Sequence, residues 1–112
     1  MDLKRIADEA QNDVVETYYD NGQLKTRTNY ENCKPHGLWE TWYENGNPMA
    51  RANYKNGKLN GLCEIWYKNG NPKERSNYKN DEPNGLLERW DEKGNLVESS
   101  MYKNDIQQPK LK

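Results

Sequence analysis

The chain repeats itself every 24 residues, and that periodicity limits its fold more than any other property. Trp42, Trp66 and Trp90 stand 24 apart, and Tyr18 lies 24 before Trp42. Tyr30, Tyr54, Tyr78 and Tyr102 form a second column at the same spacing. Gly22, Gly46, Gly70 and Gly94 form a third, and Gly37, Gly61 and Gly85 a fourth. Glu16, Glu40, Glu64 and Glu88 keep the same register, as do Arg27, Arg51 and Arg75, and Asn29, Asn53 and Asn77. A fixed period of this length marks an array of supersecondary units that bury surface only against their neighbours. The units run 13–36, 37–60, 61–84 and 85–108 without insertions, with 1–12 before them and 109–112 after.

Each unit reads as a β-hairpin. Gly37 to Tyr43, GLWETWY, is rich in strand-forming types, and Pro48 to Tyr54 supplies a second strand. Asn45-Gly46 between them predicts a two-residue type I′ turn, which requires positive φ at both central residues. Asn56-Gly57 turns the chain into the next unit, whereas Asn32-Cys33 and Asn80-Asp81 at the other junctions predict looser turns of another type. A two-residue turn at Asn45-Gly46 places Glu40 opposite Arg51 and Trp42 opposite Met49. The same rule pairs Glu16 with Arg27 and Glu64 with Arg75, and sets Glu88 against Ser99. Opposite charges facing across a ladder stabilise it by about 0.2–1 kcal/mol each.

This register divides the sheet into two faces. Trp39, Thr41, Tyr43, Pro48, Ala50, Ala52 and Tyr54 share one, where small residues oppose large ones; it is the expected packed face. Leu38, Glu40, Trp42, Met49, Arg51 and Asn53 share the other, expected to be more solvated. Gly61 is expected opposite Ala52 and beside Tyr54. At the amino end, Leu3, Ile6, Ala7 and Ala10 recur at helical spacing after Asp2, an expected N-cap. Residues 1–12 are therefore read as a short helix covering the first open edge. Residues 109–112, with the IQQ before them, are read as a mobile tail, which leaves the last edge open for a homodimer or a partner.

Composition agrees with a thin sheet. Hydrophobic residues make up 32% of the chain, too few for a thick core, yet four Trp and eight Tyr are spread along it. Disordered chains are usually poor in aromatics. The formal net charge is −1, with acidic and basic residues interleaved, so no basic stripe invites nucleic acid. Nothing in MDLKRIADEAQND resembles a signal peptide, and Cys33 and Cys63 occupy different positions of the unit, so a cytoplasmic, reducing setting is expected.

The unit NYKNGKLNGLCEIWYKNG resembles the MORN repeat. Tyr54 stands at the family's Trp, Asn56-Gly57-Lys58 at its turn, Gly61 at its later Gly and Asn69-Gly70 at its Asp-Gly. His36 matches the family His, from which Asn60 and Asn84 depart. The WYxNG signature is similar to the bacterial MORN variant, whose members are commonly called YwqK-like antitoxins. The resemblance implies an all-β fold: an extended single-layer antiparallel sheet of four tandem 24-residue MORN-like hairpins. It also implies a non-enzymatic binding module, either an antitoxin or immunity protein that covers a toxin, or a lipid-binding or scaffold protein.

Chemistry for catalysis is not legible. His36 is the only histidine and fits a turn position. Cys33 and His36 begin no metal site, since Zn²⁺ takes four ligands and only Cys63 remains as a soft donor. The glycines are spaced as turns, with no phosphate loop opening a helix. No enzyme, cofactor or metal is expected. The Glu column, recurring with its Arg partners, is read as structural. Tyr18, Trp42, Trp66 and Trp90, with Arg51 and Arg75, are the expected partner-binding residues, because Trp, Tyr and Arg are enriched in interface hot spots. Lipid binding would need a cation cluster that the scattered lysines do not form.

Overall fold

A computed structural model describes residues 13–103 and 106–108. The expected helix of residues 1–12 and the expected tail of 109–112 lie outside the described residues. The described chain is an antiparallel meander of β1 (Val14–Tyr18), β2 (Leu24–Glu31), β3 (Lys34–Trp42), β4 (Pro48–Lys55), β5 (Lys58–Trp66), β6 (Pro72–Lys79), β7 (Glu82–Pro83), β8 (Gly85–Trp90), β9 (Leu96–Lys103) and β10 (Ile106–Gln108). Each strand pairs with the next; β7 and β8 are two pieces of one strand, both on β6. The sheet measures 58 × 32 × 11 Å, a single layer. No helix among the described residues is long and apolar enough to cross a membrane.

The junction turns at Asn32-Cys33 and Asn80-Asp81 are tighter than expected and match the one at Asn56-Gly57. Asn56-Gly57 (φ 53° and 83°), Asn32-Cys33 (53° and 65°) and Asn80-Asp81 (51° and 69°) all have two left-handed residues. They close the pairs Lys55–Lys58, Glu31–Lys34 and Lys79–Glu82 as two-residue type I′ loops. Asn and Asp enter the left-handed region at small cost; Cys33 does so under strain.

The hairpin turn within each unit differs from the expectation in the opposite sense. Asn45 keeps a negative φ, and only Gly46 (φ 94°) is left-handed. Gly46 N–H donates to Tyr43 O at 2.9 Å and Tyr43 N–H to Asn47 O at 2.8 Å. The loop is therefore Glu44-Asn45-Gly46, a type I turn followed by a left-handed glycine. Its extra residue sets Trp42 opposite Pro48, not Met49. A β-bulge at Met49 then restores the register, so Thr41 faces Ala50 and Glu40 faces Arg51 as expected. The same step recurs at Tyr18, Trp66 and Trp90, which face Leu24, Pro72 and Leu96.

A second irregularity recurs near the other edge. Between the pairs Ala52–Cys63 and Tyr54–Leu59, β4 supplies one residue and β5 three. Gly61 (φ 109°) lies in that bulge, so Cys63 takes the expected place of Gly61 opposite Ala52, and Gly61 instead faces Tyr78 on β6. Asn53 bridges the widened gap, its Nδ2 donating to Leu62 O at 3.2 Å; Asn29 and Asn77 do the same to Leu38 O (2.6 Å) and Leu86 O (3.3 Å). The Asn column thus satisfies the carbonyl that the bulge frees.

The expected packed face is the better buried one. Ala52 and Ser76 are 1% exposed, and Ser100, in the same column, 3%. Leu87 and Thr41 on this face are buried too, and Trp39 meets Tyr54 edge to face at 6.5 Å. Ala52 and Leu87 are the buried apolar side chains among the described residues, so the layer has columns of shielded small residues in place of a core. Ile106–Gln108, read as part of the tail, pairs with Met101–Lys103 as a short strand.

Candidate protein-binding face

The face opposite the packed one carries three parallel rows, because Leu38, Glu40 and Trp42 alternate along β3 and each recurs in the other units. The middle row alternates in charge across the sheet: Glu16, Arg27, Glu40, Arg51, Glu64, Arg75 and Glu88 stand in successive register. Arg27 Nε meets Glu16 at 3.0 Å and its Nη1 meets Glu40 at 3.5 Å; Arg51 reaches Glu40 at 3.4 Å and Arg75 reaches Glu64 at 3.3 Å. The three expected pairs are present. Glu40, held between two guanidinium groups, is 8% exposed although it lies on the open face. Glu88 faces Ser99 as expected, with Arg75 on its other side.

At the amino-terminal end of the ladder the Arg27 guanidinium, then the Tyr18 hydroxyl at 3.1 Å, hold the Glu16 carboxyl below its ordinary range. The same carboxylate pushes the Tyr18 phenol up. Hydrogen bonding to Glu16 likewise raises Arg27. The ladder is a neutralised strip, not a basic or acidic patch.

The aromatic row Tyr18, Trp42, Trp66 and Trp90 flanks this strip. Tyr18 is 58% exposed, and the three Trp are half-buried. Arg27 Cζ stands 5.5 Å from the Trp42 ring and Arg51 Cζ 5.9 Å from the Trp66 ring, within cation–π range. Arg51 and Arg75, expected to bind a partner, are engaged in the ladder while keeping about half of their side-chain surface exposed.

On the other side of the strip lies a row that sequence reading did not single out as a site. Val14, Leu38, Leu62 and Leu86 recur every 24 residues, followed by Met101 opposite Leu86. Val14, Leu62, Leu86 and Met101 are exposed. The signal was the same period, overlooked because aliphatic residues read as core in a chain with so little core.

Three further columns escaped notice. Tyr19, Tyr43 and Tyr67 donate their hydroxyls to Trp42 O, Trp66 O and Trp90 O at 2.7–2.8 Å. Asn21, Asn45 and Asn69 donate from Nδ2 to the turn carbonyls of Glu44, Lys68 and Glu92 in the next unit. Asn47 and Asn71 reinforce two of these contacts. On the packed face, Arg89 joins Glu74 at 2.8 Å and Glu98 at 3.0 Å. That cluster does not repeat, so periodicity could not reveal it.

His36 and Cys63 are engaged structurally. His36 Nδ1 accepts Asn56 N–H at 3.2 Å, which fixes the junction turn and places the ring proton on Nε2, toward Glu31. Cys33 is exposed in one turn, and Cys63 is half-buried in β5. Burial, aided by the Glu74 carboxylate, pushes the Cys63 thiol up and keeps it a poor nucleophile. No cluster of three metal-binding side chains occurs among the described residues. A shallow recess of about 380 Å³ lies at the turn edge, lined by Asn45, Tyr67, Lys68, Asn69 and Glu92.

The MORN repeat variant matches the chain at residues 14–32, 35–56, 59–80 and 83–104. No curated protein and no solved structure gives a significant match. The four matched segments follow the four hairpin units strand for strand, and the chain belongs to the MORN repeat variant family, a repeat architecture suited to binding.

Proposed function

We propose that the chain is a non-enzymatic protein-binding module whose three-row face covers a complementary protein surface, and that it acts in the cytoplasm as an antitoxin or immunity protein. The observation that carries this reading is the open face itself: an aliphatic row and an aromatic row flank a neutralised charge ladder. Exposed apolar side chains on both sides of charges that already neutralise one another favour protein contact. The sheet spans 58 × 32 Å, room for the roughly 800 Å² that each partner gives to a standard interface. The Arg side chains already answer Glu side chains, which disfavours phosphate or anionic lipid as ligand. Cys33 and Cys63, both free thiols, suit a reducing compartment.

The test is capture of partners on the tagged protein, followed by co-expression. A single stoichiometric partner that arrests growth alone, and is silenced by this chain, is the expected result. Trp42→Ala with Trp66→Ala should lose that partner while keeping the β-sheet circular dichroism. A protein that captures no partner but floats with anionic vesicles would overturn this reading in favour of a lipid scaffold.

A further inference from the structure

One set of unit-to-unit contacts is directional: side-chain donors of each unit reach forward to backbone carbonyls of the next. Tyr43 OH donates to Trp66 O, Asn45 Nδ2 to Lys68 O, and Asn53 Nδ2 to Leu62 O. Arg51 lies in register with Glu64 and over the Trp66 ring. The third unit repeats the hydrogen bonds with Tyr67, Asn69 and Asn77, and sets Arg75 against Glu88.

The fourth unit has lost every one of these forward groups. Asp91 stands where Tyr43 and Tyr67 stand, and Lys93 where Asn45 and Asn69 stand. Ser99 replaces the Arg, and Met101 replaces the bridging Asn. Asn95 survives, but it is turned inward. Its equivalents Asn47 and Asn71 reach forward to Lys68 O and Glu92 O, whereas Asn95 Nδ2 binds Asp91 Oδ2 of its own turn at 3.2 Å. Asp91 also accepts Asn95 N–H and Lys93 N–H, each at 2.9 Å, and these bonds, the Asn95 one foremost, hold its carboxyl below the ordinary range. Short β10 covers β9 only at Met101–Lys103, so Leu96–Ser100, paired with β8 on its inner side, has no strand on its outer side among the described residues.

The first unit keeps the complementary half. β1 and the turn after it carry the carbonyls of Val14, Tyr18 and Asp20, the counterparts of Leu38, Trp42 and Glu44, together with Glu16, the counterpart of Glu40. Among the described residues no strand lies on its outer side. Two β1 edges match less well, since neither brings the phenol, carboxamide and guanidinium donors and each brings a carboxylate to the same row.

We propose that the outer edge of β1 is a docking site for the donor edge of a different chain of the same repeat type, one offering phenol, carboxamide and guanidinium groups at the unit spacing. The fourth unit, stripped of that donor set, stops copies of this chain from joining head to tail. This inference is independent of the partner bound by the three-row face.

The donor edge can be supplied by the protein itself. In Asp91→Tyr/Lys93→Asn/Ser99→Arg/Met101→Asn the fourth unit regains the forward groups of units two and three. Light scattering after size exclusion should show the parent chain as a monomer and the quadruple variant as concentration-dependent multiples. Labelled parent chain should bind the variant and shorten those multiples, because it offers a β1 edge but no donor edge. Glu16→Gln in the labelled chain should weaken that binding severalfold. A folded quadruple variant that stays monomeric and captures no parent chain overturns the proposal. So does a parent chain that multimerises by itself and is dispersed by Glu16→Gln. If circular dichroism shows the quadruple variant unfolded, Asp91→Tyr/Ser99→Arg, which restores the phenol and guanidinium alone, is held to the same outcomes.

Discussion

Asn-Gly occurs at both long edges of the sheet, as Asn56-Gly57 on one and Asn45-Gly46 with its equivalents on the other, and the same dipeptide makes a different turn on each. On one edge Asn56 and Gly57 are both left-handed, and the loop has two residues. On the other, Asn45 stays right-handed, Gly46 alone is left-handed, and the loop has three. The dipeptide is not what differs; its surroundings are. Asn45 Oδ1 accepts Asn47 N–H, its Nδ2 reaches Lys68 O in the next unit, and Tyr43 is anchored to Trp66 O. Those contacts hold a wider loop and stack it on its neighbour. At Asn56 the contact goes backwards, from its N–H to His36, and the strands close tightly at Lys55 and Lys58. A turn signal specifies where the glycine must be left-handed, while the contacts of the adjoining unit choose the loop length.

The sharpest way to break this comparison is proline. Asn56→Pro forces φ to about −65° where the type I′ turn needs 53°, and removes the N–H bound to His36. A loss of about 3 kcal/mol or more is expected in urea unfolding. Glu44→Pro sits at the second position of a type I turn, where Pro is favoured, and should change stability by less than about 1 kcal/mol. Equal damage from both substitutions would mean that the two edges use the same turn after all.

Gly46→Ala tests the one left-handed residue of the wider loop. At φ 94° a cost of about 1–2 kcal/mol is expected, and the Cβ would also press on Gln23 Oε1 at 3.3 Å. Tyr43→Phe deletes the hydroxyl that stacks one turn on the next, with an expected loss of about 1 kcal/mol in the same assay. The smallest effect runs the other way. Cys33 holds φ 65° in a type I′ turn, so Cys33→Gly should raise the unfolding midpoint, by about 0.5–1 kcal/mol in free energy. A destabilised Cys33→Gly would show that the thiol contributes more than its backbone strain costs.

The charge pairs were legible because they satisfy two conditions at once, a shared period and a shared register. Glu40 opposite Arg51 survives a misjudged turn only because the Met49 bulge cancels the additional loop residue. Periodicity reports which residues are equivalent, and it cannot distinguish a two-residue loop from a three-residue loop with a compensating bulge. The Asn29, Asn53 and Asn77 column was visible as a column, but its task appeared only with the bulge it bridges. The Leu column was hidden by its chemistry: exposed in this sheet, it would be buried in any thicker fold. Arg89, Glu74 and Glu98 occur once and needed the pairing of β6, β8 and β9 to bring them together.

Sequence alone determined the number of units, the antiparallel meander and the division into two faces. All of these follow from spacing, because a strand alternates sides every residue and a repeat returns each position to the same side. Tertiary structure decided the turn types, the two bulges, the exposure of the aliphatic row and the inward turn of Asn95. Those depend on which carbonyl of the neighbouring unit lies within hydrogen-bond reach, a distance that no pattern along a single strand contains.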